Sequence, residues 1–465
     1  MIIAVVGAGG KTTYIHEIAK EYVRQGKKVF VTTSTHMFKE ADTLVTDDAE
    51  KIIAELEKNN YVMAGVGIEC KIKALSKETY ENVCKYADIV LVEADGSKHM
   101  PIKYPNEHEP VVYDNVDEIV VICGLHALEK PFVKVSHRLS LVKECLQVDD
   151  DTIVQPYHIQ KLVMEEYVKP MKEKYPDKHI KVKAMHDDSF YQKVIAKLIE
   201  SEFDVSIVKK EWFCTQPELM VFGAGHVSYE LVKMASCLDF KIKVMDDRKE
   251  FVNSERFPGA NELICDNFEN VGKYLVEDGY YVVVTRGHKD DQCCVKAVLN
   301  HSYEYLGMIG SKRKIKTTFD NLKKEGVSED KLRTICAPIG LDIGARTPAE
   351  IAVSILAEII QIKNQKHSSF ISRELTNVKD CGTLCIIIEK HGSTPRGEGS
   401  MMFVTEDSIL DTIGGGEIEY AAIKDARLCD KVYVKEYTLN NQSAGNLGMI
   451  CGGRNKVLFV PLNED

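Results

Sequence analysis

The sequence predicts an α/β protein of three units. These are an N-terminal P-loop-type α/β unit (1–206), a Rossmann-like parallel α/β unit (216–366) and a small β-rich α+β unit (369–465). Three observations carry this expectation. Two glycine loops, at 7–10 and 223–225, each separate a short apolar run from a helical periodicity, which is the signature of a strand–loop–helix start. Beyond residue 369 period-2 runs replace that alternation. The length, 465 residues, fits about three domains at roughly 150 residues each.

Composition bounds the class. With 44% hydrophobic and 28% charged residues the chain has ample core for globular units. A net charge of -11 argues against broad nucleic-acid or anionic-membrane binding, while leaving room for local basic clefts. The start, MIIAVVGAGGKTT, reads as a strand and loop, without a basic leader or cleavage site. No apolar run approaches the ~18 residues of a membrane span. Fourteen cysteines lie scattered with no CxxC pair, so neither a zinc knuckle nor a disulfide framework is indicated. A reducing, cytoplasmic location is the expectation.

In the first unit, residues 2–6 form a strand and 14–25 a helix with Ile15, Ile18, Ala19 and Tyr22 on one face. Between them stand Gly7, Ala8, Gly9, Gly10, Lys11, Thr12 and Thr13. Such a loop offers backbone N–H groups and the positive end of the helix dipole to phosphates. Lys11 is placed to reach the β/γ oxygens and Thr12 to offer Mg²⁺ a hydroxyl. The longer P-loop spacing would need Gly where Val5 stands; the shorter G-x-x-G-K-T-T form resembles the loop of the Mur ligase group. Residues 28–33 and 88–92 read as further strands, the latter ending in Glu93-Ala94-Asp95-Gly96. Carboxylates at a strand's C-terminal end are where a P-loop unit holds Mg²⁺ or a catalytic water; the bland reading is a turn with Glu93 solvated. His36, His126, His137 and Arg138 are weaker candidates, explained as well by loop packing. Residues 150–191 read mainly as helices punctuated by Pro156, Pro170 and Pro176, and 200–217 as a linker carrying Trp212.

The middle unit opens with a buried strand at 219–222, a turn at Gly223-Ala224-Gly225 and a helix marked by Val227, Leu231, Val232 and Ala235. A second strand, 241–245, ends at Asp246, Asp247 and Arg248. In this pattern the first Gly makes a tight turn, the second admits a phosphate and the acid, Asp246, holds a ribose hydroxyl. His226 follows the loop directly, and Ser228 stands where a third glycine is usual. The strand 280–285 runs into Arg286 and His288, which the fold aims at the crevice beyond the strands' carboxyl ends. Lys312, Arg313 and Lys314 after Gly310-Ser311 form either an anion site or a solvated helix face. Thr347, Pro348 and Glu350 make a capped helix start, which leaves residues 340–344 without an account.

The last unit shows strand-like runs at 383–389, 401–404, 409–413, 433–437 and 457–461. Its loops carry Arg396, then Gly414, Gly415 and Gly416 before a helix at 417–428, then Cys451 with Gly452, Gly453 and Arg454. Free N–H groups at that helix start would form an anion cradle. Hairpin turns and a buried thiol are the structural alternative, but three such loops make a ligand surface the better reading.

Longer motifs add a resemblance. GAGGKTT (7–13), TTSTHM (32–37) and VEADGSKHMPIK (92–103) resemble the selenium-dependent hydroxylase accessory family YqeC. FGAGHVSYEL (222–231), VMDDR (244–248), RFPGA (256–260), TRGHKDDQ (285–292), YLGMIGSKRK (305–314) and PIGLDIGARTPAEIAVSILAEII (338–360) resemble the Rossmann domain of the XdhC/CoxI family, xanthine dehydrogenase accessory proteins. GSTPRGEGSMMFV (392–404), TIGGGEIE (412–419) and GMICGG (448–453) resemble that family's small domain, which ordinarily precedes the Rossmann domain but here follows it. The order puts in question whether the small unit docks within one chain or across a dimer.

What the resemblance implies is an accessory factor that binds molybdenum cofactor, assists its sulfuration or selenation, and delivers it to a molybdenum hydroxylase without being the hydroxylase. Lys11, Glu93 and Asp95 would then act on ATP·Mg²⁺, with Thr12 and Glu93 on the metal. Arg396 and Gly414–416 would hold the molybdopterin phosphate, and Cys451, its thiol acidified beside Arg454, would meet molybdenum or a transferred chalcogen. A cysteine desulfurase or selenium donor, and a second copy of the chain, are the further partners implied. Two alternatives stay open: an NAD(P)-dependent oxidoreductase using Gly223, Gly225 and Asp246 with His288 as acid/base, and a stand-alone P-loop ATPase or ligase.

Overall fold

The structure, a computed structural model, describes residues 1–97, 100–213, 216–238, 240–366, 371–392, 396–438 and 454–462. Among them the fold is mixed α/β, as the sequence predicts, with two large parallel sheets and a small antiparallel one toward the C-terminus.

The first sheet takes β1 (Ile2–Ala8), β2 (Val29–Thr33), β3 (His36–Phe38), β4 (Leu44–Val45), β5 (Tyr61–Ile68), β6 (Lys71–Lys73), β7 (Ile89–Glu93), β9 (Glu118–Gly124) and β11 (His179–Met185). Strands β8 (Ile102–Lys103) and β10 (Ser136–His137) pair separately with each other. The main order is β11-β9-β1-β7-β2-β5-β6-β3, parallel from β11 to β5, with β6 and β3 added antiparallel and β4 beside β5. Helices cover both faces, which is why the central strands are apolar on every side chain rather than on alternate ones. Ile3 and Val5 pack with Tyr14, Ile15 and Ala19 of the helix Lys11–Arg24. Ala4 and Val6 point the other way, toward Val194, Ile195 and Leu198 of the helix Phe190–Glu200.

Two expectations are corrected here. Residues 150–191 are not helices throughout, since β11 lies among them at the sheet edge. Its residues HIKVKAM alternate lysine with apolar side chains, the period-2 pattern of a strand half exposed to water. Residues 200–217 do not run free as a linker: Trp212, only 2% exposed, joins the core on the same face as Val194. An indole of that area is held where most of it leaves water.

The second sheet is wholly parallel: β12 (Glu218–Phe222), β13 (Lys241–Asp246), β14 (Glu262–Cys265), β15 (Gly279–Val283) and β16 (Tyr303–Met308), in the order β14-β13-β12-β15-β16. The helices His226–Ala235 and Pro348–Lys366 cover one face. His288–Leu299 and Lys312–Lys324 cover the other. The order reverses between β12 and β15, so the crevice expected of a Rossmann-like sheet opens beyond those two strands. The helix Pro348–Lys366 starts with the expected reciprocal cap: Glu350 N donates to Thr347 Oγ1 (3.3 Å) and Thr347 N to Glu350 Oε2 (2.9 Å). Residues 340–344 also gain a reason. Gly340 has φ 91°, its N–H meets Glu358 Oε2 at 2.9 Å, and a Cβ there would strike Ser354 Oγ at 2.2 Å.

The third sheet is antiparallel: β17 (Gly382–His391), β18 (Met401–Val404), β19 (Ile409–Asp411), β20 (Tyr433–Thr438) and β21 (Arg454–Leu462), ordered β19-β18-β17-β21-β20. Alternation along β17 splits its side chains between two faces. Cys385 and Ile387 pack under Ile418, Ala422 and Ala426 of the helix Gly416–Arg427. Leu384 and Ile386, with Phe403, Leu458 and Val460, join the cluster that holds Val194, Leu198 and Trp212. The small sheet therefore docks within the chain, on the helix Phe190–Glu200 of the first sheet. No helix among the described residues is long and apolar enough to cross a membrane.

Candidate functional site

The carboxyl ends of β1, β7, β9 and β11 converge on one edge of the first sheet, and the glycine loop lies among them. Gly7, Gly9 and Gly10 have φ of 93°, 84° and 138°. A Cβ on Gly7 would lie 2.2 Å from Ile122 O, and one on Gly9 would lie 2.6 Å from Gly124 Cα. Glycine is thus required twice over, by the left-handed backbone and by close approach to the end of β9. Gly10 caps the helix Lys11–Arg24 without a side-chain bond, so the first-turn amides are not satisfied by a capping side chain. That is the local chemistry of an anion site.

Behind the loop lies a buried charge cluster. Lys11 Nζ donates to Gly7 O (2.7 Å) and lies 3.1 Å from Asp95 Oδ1, with 3% and 0% of the two side chains exposed. Asp95 Oδ2 accepts from Gly7 N (3.1 Å), Lys103 Nζ (2.9 Å) and Tyr167 Oη (3.4 Å). Lys103, itself fully buried, also reaches Glu109 Oε2 at 2.8 Å, and Arg138 Nη2 meets the same oxygen at 2.8 Å. Burial pushes the Asp95 carboxyl upward, but Lys11 and Lys103 outweigh it and hold the group below the ordinary carboxylate range. Burial likewise opposes ionisation of Glu109, and Lys103 and Arg138 overcome it. Glu93 goes the other way: burial, with the Asp95 charge added, lifts it to about 7 against the pull of Lys11.

In front of the loop opens a cleft of about 230 Å³, lined by Gly9, Gly10, Lys11, Thr12, Thr13 and Glu93, with His36, Lys71, His126 and His186 around it. Thr12 Oγ1 faces Glu93 Oε2 at 3.4 Å. A hydroxyl and a carboxylate on one wall fit a Mg²⁺ ion that takes its remaining oxygens from phosphate and water. His126 stacks edge-on against His186, centroids 4.4 Å apart; burial, then that neighbour, lowers its basicity. Among the described residues no group of three or more His, Cys, Asp or Glu is placed to hold a metal alone.

Sequence reasoning missed Lys103, Glu109, Tyr167 and His186. Lys103 ends the two-residue strand β8, Glu109 follows it in a loop, and His186 comes directly after the edge strand β11, within a stretch that reads mainly as helix. Nothing local marks Tyr167, whose hydroxyl reaches Asp95 from a helix far along the chain.

At the second sheet the loop geometry is as expected and its acid is not. Gly223 has φ 103°, and a Cβ there would meet Val284 O at 2.5 Å. Gly225 has open space around it, and His226 begins the helix, exposed. Ser228 is buried and hydrogen-bonds back to Gly223 O. Asp246, expected to hold a ribose hydroxyl, already accepts from Ala224 N (2.7 Å) and, through both oxygens, from Arg248 Nε (2.8 Å) and Nη2 (2.9 Å). The arginine two residues on folds back as a fork and saturates it. Burial works against the Asp246 charge, but Arg248 keeps the carboxyl below its ordinary range. Arg286 reaches Asp247 Oδ2 at 2.9 Å. His288 is the exposed first residue of its helix. Asp291, unforeseen, is buried at the same crevice, bonded by Thr285 Oγ1 at 2.6 Å and ion-paired with Lys314.

The third glycine loop leads into the helix Gly416–Arg427. Gly414, Gly415 and Gly416 have φ of 121°, 73° and 73°. Glu419 Oε2 accepts from Ile413 N (3.0 Å), Gly415 N (3.0 Å) and Thr412 Oγ1, taking up two amides just ahead of the helix. A carboxylate one turn into the helix thus reaches back over the loop, as in a capping box. Arg396 is brought to this loop, its Cβ and Cγ 3.3 Å from where a Gly414 Cβ would stand. Arg454 pairs with Glu436 across β20 and β21 at 3.5 Å. Cys451, with Gly452 and Gly453, lies outside the described residues.

Comparison with known proteins matches these regions segment by segment. Residues 3–140 match the YqeC protein family, 219–359 the XdhC Rossmann domain, and 379–430 the XdhC and CoxI family. The chain is 34% identical over 151 residues to the uncharacterized protein YqeB of Escherichia coli K12, covering 32% of this chain and 28% of that one. It is 31% identical over 153 residues to a probable xanthine dehydrogenase subunit of Bacillus subtilis 168, covering 32% and 44%. It is 29% identical over 163 residues to the uncharacterized protein YqeC of Escherichia coli K12, covering 33% and 64%. The chain thus spans less than two thirds of each relative's length, and it joins a YqeC-type segment to XdhC-type segments, as the motifs imply.

Proposed function

We propose that this protein is an accessory factor in the maturation of a molybdenum hydroxylase of the xanthine dehydrogenase type, with a nucleotide site at its first glycine loop. One observation carries the reading: a YqeC segment and both XdhC-type segments stand in a single chain. The cargo is molybdenum cofactor and the client a hydroxylase.

For the nucleotide, the uncapped amides after Gly10 and the cation of Lys11 would receive the phosphates, and Thr12 with Glu93 would hold Mg²⁺. Asp95 would act as the fixed counter-charge that keeps Lys11 at the loop. For the cargo, the described residues offer Arg396 beside Gly414, while the loop amides themselves are engaged by Glu419. The three-unit division at 1–206, 216–366 and 369–465, with the small unit after the Rossmann-like one, is part of the same proposal. The dehydrogenase alternative is disfavoured by Asp246, whose carboxylate is saturated by Arg248 and Ala224.

The test is genetic and biochemical together. Deleting the gene should leave the client hydroxylase present but inactive, and the purified chain should retain molybdenum cofactor and bind a non-hydrolysable ATP analogue with Mg²⁺. A fully active client in the deletion strain, with no cofactor retained by the protein, would reject the reading.

A further inference from the structure

A second cleft, of about 350 Å³, adjoins the one in front of the glycine loop and shares His36, Lys71 and Gly96 with it. Its wall carries Thr35, Glu109, His137 and Arg138. Three features mark it as built for a ligand. The charge of Glu109 is answered from behind by Lys103 and beside it by Arg138, both at 2.8 Å. That leaves Lys71, whose ammonium stands over the Phe38 ring 4.4 Å from its centroid, at the boundary of the two clefts with His36 and His137 nearby. The buried hydroxyl of Thr35 has no hydrogen-bond partner within the protein, and a polar atom withdrawn from water is normally paired. Finally, the ion pairs Arg138–Glu109–Lys103–Asp95–Lys11 run unbroken from this cleft to the glycine loop, so the two sites share one buried charge scaffold.

We infer that this second cleft binds a small molecule bearing a phosphate monoester, seated beside the terminal phosphate of the nucleotide. The ammonium of Lys71 and the guanidinium of Arg138 suit a dianion, and the imidazoles and the Thr35 hydroxyl supply further donors. Glu69, exposed at the rim, carries the opposing charge that disfavours a bulky polyanion there. The inference rests on the nucleotide reading of the first cleft and gives that site a second substrate.

The experiment uses the full chain saturated with Mg²⁺ and a non-hydrolysable ATP analogue, titrated with inorganic phosphate by calorimetry. One equivalent of phosphate should bind, and acetate should not. Lys71→Gln and His137→Gln should each weaken phosphate at least tenfold, with wild-type melting temperatures. Absence of phosphate binding to the analogue-loaded protein, or wild-type affinity in both variants, overturns the inference. Should the wild type bind no analogue yet keep Lys71-dependent phosphate binding, the nucleotide reading falls and the second site stands.

Discussion

Lys11 and Asp95 meet 3.1 Å apart with 3% and 0% of their side chains exposed, and through that pair the glycine loop is tied to the end of β7. A carboxylate buried so completely persists as an anion because Lys11 faces one oxygen and Lys103 approaches the other at 2.9 Å.

Removing that shared charge should therefore be costly. Asp95→Asn leaves the buried Lys11 without its counter-ion and Lys103 with Glu109 alone, and should destabilise the protein by about 3–5 kcal/mol. Urea unfolding followed by fluorescence of Trp212, the chain's single tryptophan and buried beside the same sheet, reads the loss directly. The exposed pair Arg286–Asp247 is the control: Asp247→Asn should cost under about 1 kcal/mol.

The pH dependence follows from signs that oppose one another. Glu93 has its folded pKa raised from 4.5 to about 7, so the folded state binds the extra proton. Its contribution is full below the unfolded value and is lost as pH rises toward about 7, by up to about 3 kcal/mol. Asp95 and Glu109 are shifted downward, so their contributions are present above their unfolded values and lost in acid. Thermal melts across pH 3–8 (roughly the span of these groups) should show both slopes, and Glu93→Gln should abolish only the upper one.

The two glycines of the second loop should behave differently. Gly223→Ala forces a Cβ to 2.5 Å from Val284 O at φ 103° and should cost about 3 kcal/mol. Gly225→Ala meets nothing within 4 Å and should shift stability by less than about 0.5 kcal/mol. A thermal melt separates them, and any loss of cofactor retention in Gly225→Ala would then report a ligand at the loop rather than a folding defect.

Glu419 takes up two backbone amides just ahead of the helix Gly416–Arg427. Glu419→Ala should remove a helix-start bond at a cost of about 1 kcal/mol and free the amides of Ile413 and Gly415. Added phosphate should then shift those two amide resonances in the variant and leave them unmoved in the wild type. Equal shifts in both proteins would show that Glu419 does not guard the loop.

Much of the architecture was legible in the residues. Glycine between an apolar run and a 3.6-residue periodicity marked both strand–loop–helix starts, because only glycine tolerates the φ of 93° and 103° found at Gly7 and Gly223. The cap at Thr347 and Glu350 was legible for the same reason, since its bonds lie within one helical turn. β11 was missed because a histidine and two lysines in seven residues dilute its apolar signal, although their alternation was there to read. Asp246 looked like a ribose ligand because its position is right; its partner Arg248 was in plain view two residues away, but only the backbone turn shows the fork closing on it.

By itself the sequence determined where the central strands, their following helices and the glycine turns fall, and hence that Lys11, Glu93 and Gly223 end up at strand edges where ligands gather. Those outcomes depend on backbone sterics and periodic burial within a few residues. The tertiary structure alone decided that Lys103, Glu109, Arg138 and Tyr167 converge on or behind Asp95, and that the small antiparallel sheet docks on the helix Phe190–Glu200. Buried charges must find counter-charges and apolar faces must find cover, and which partners are within reach is set by how distant strands are ordered in a sheet.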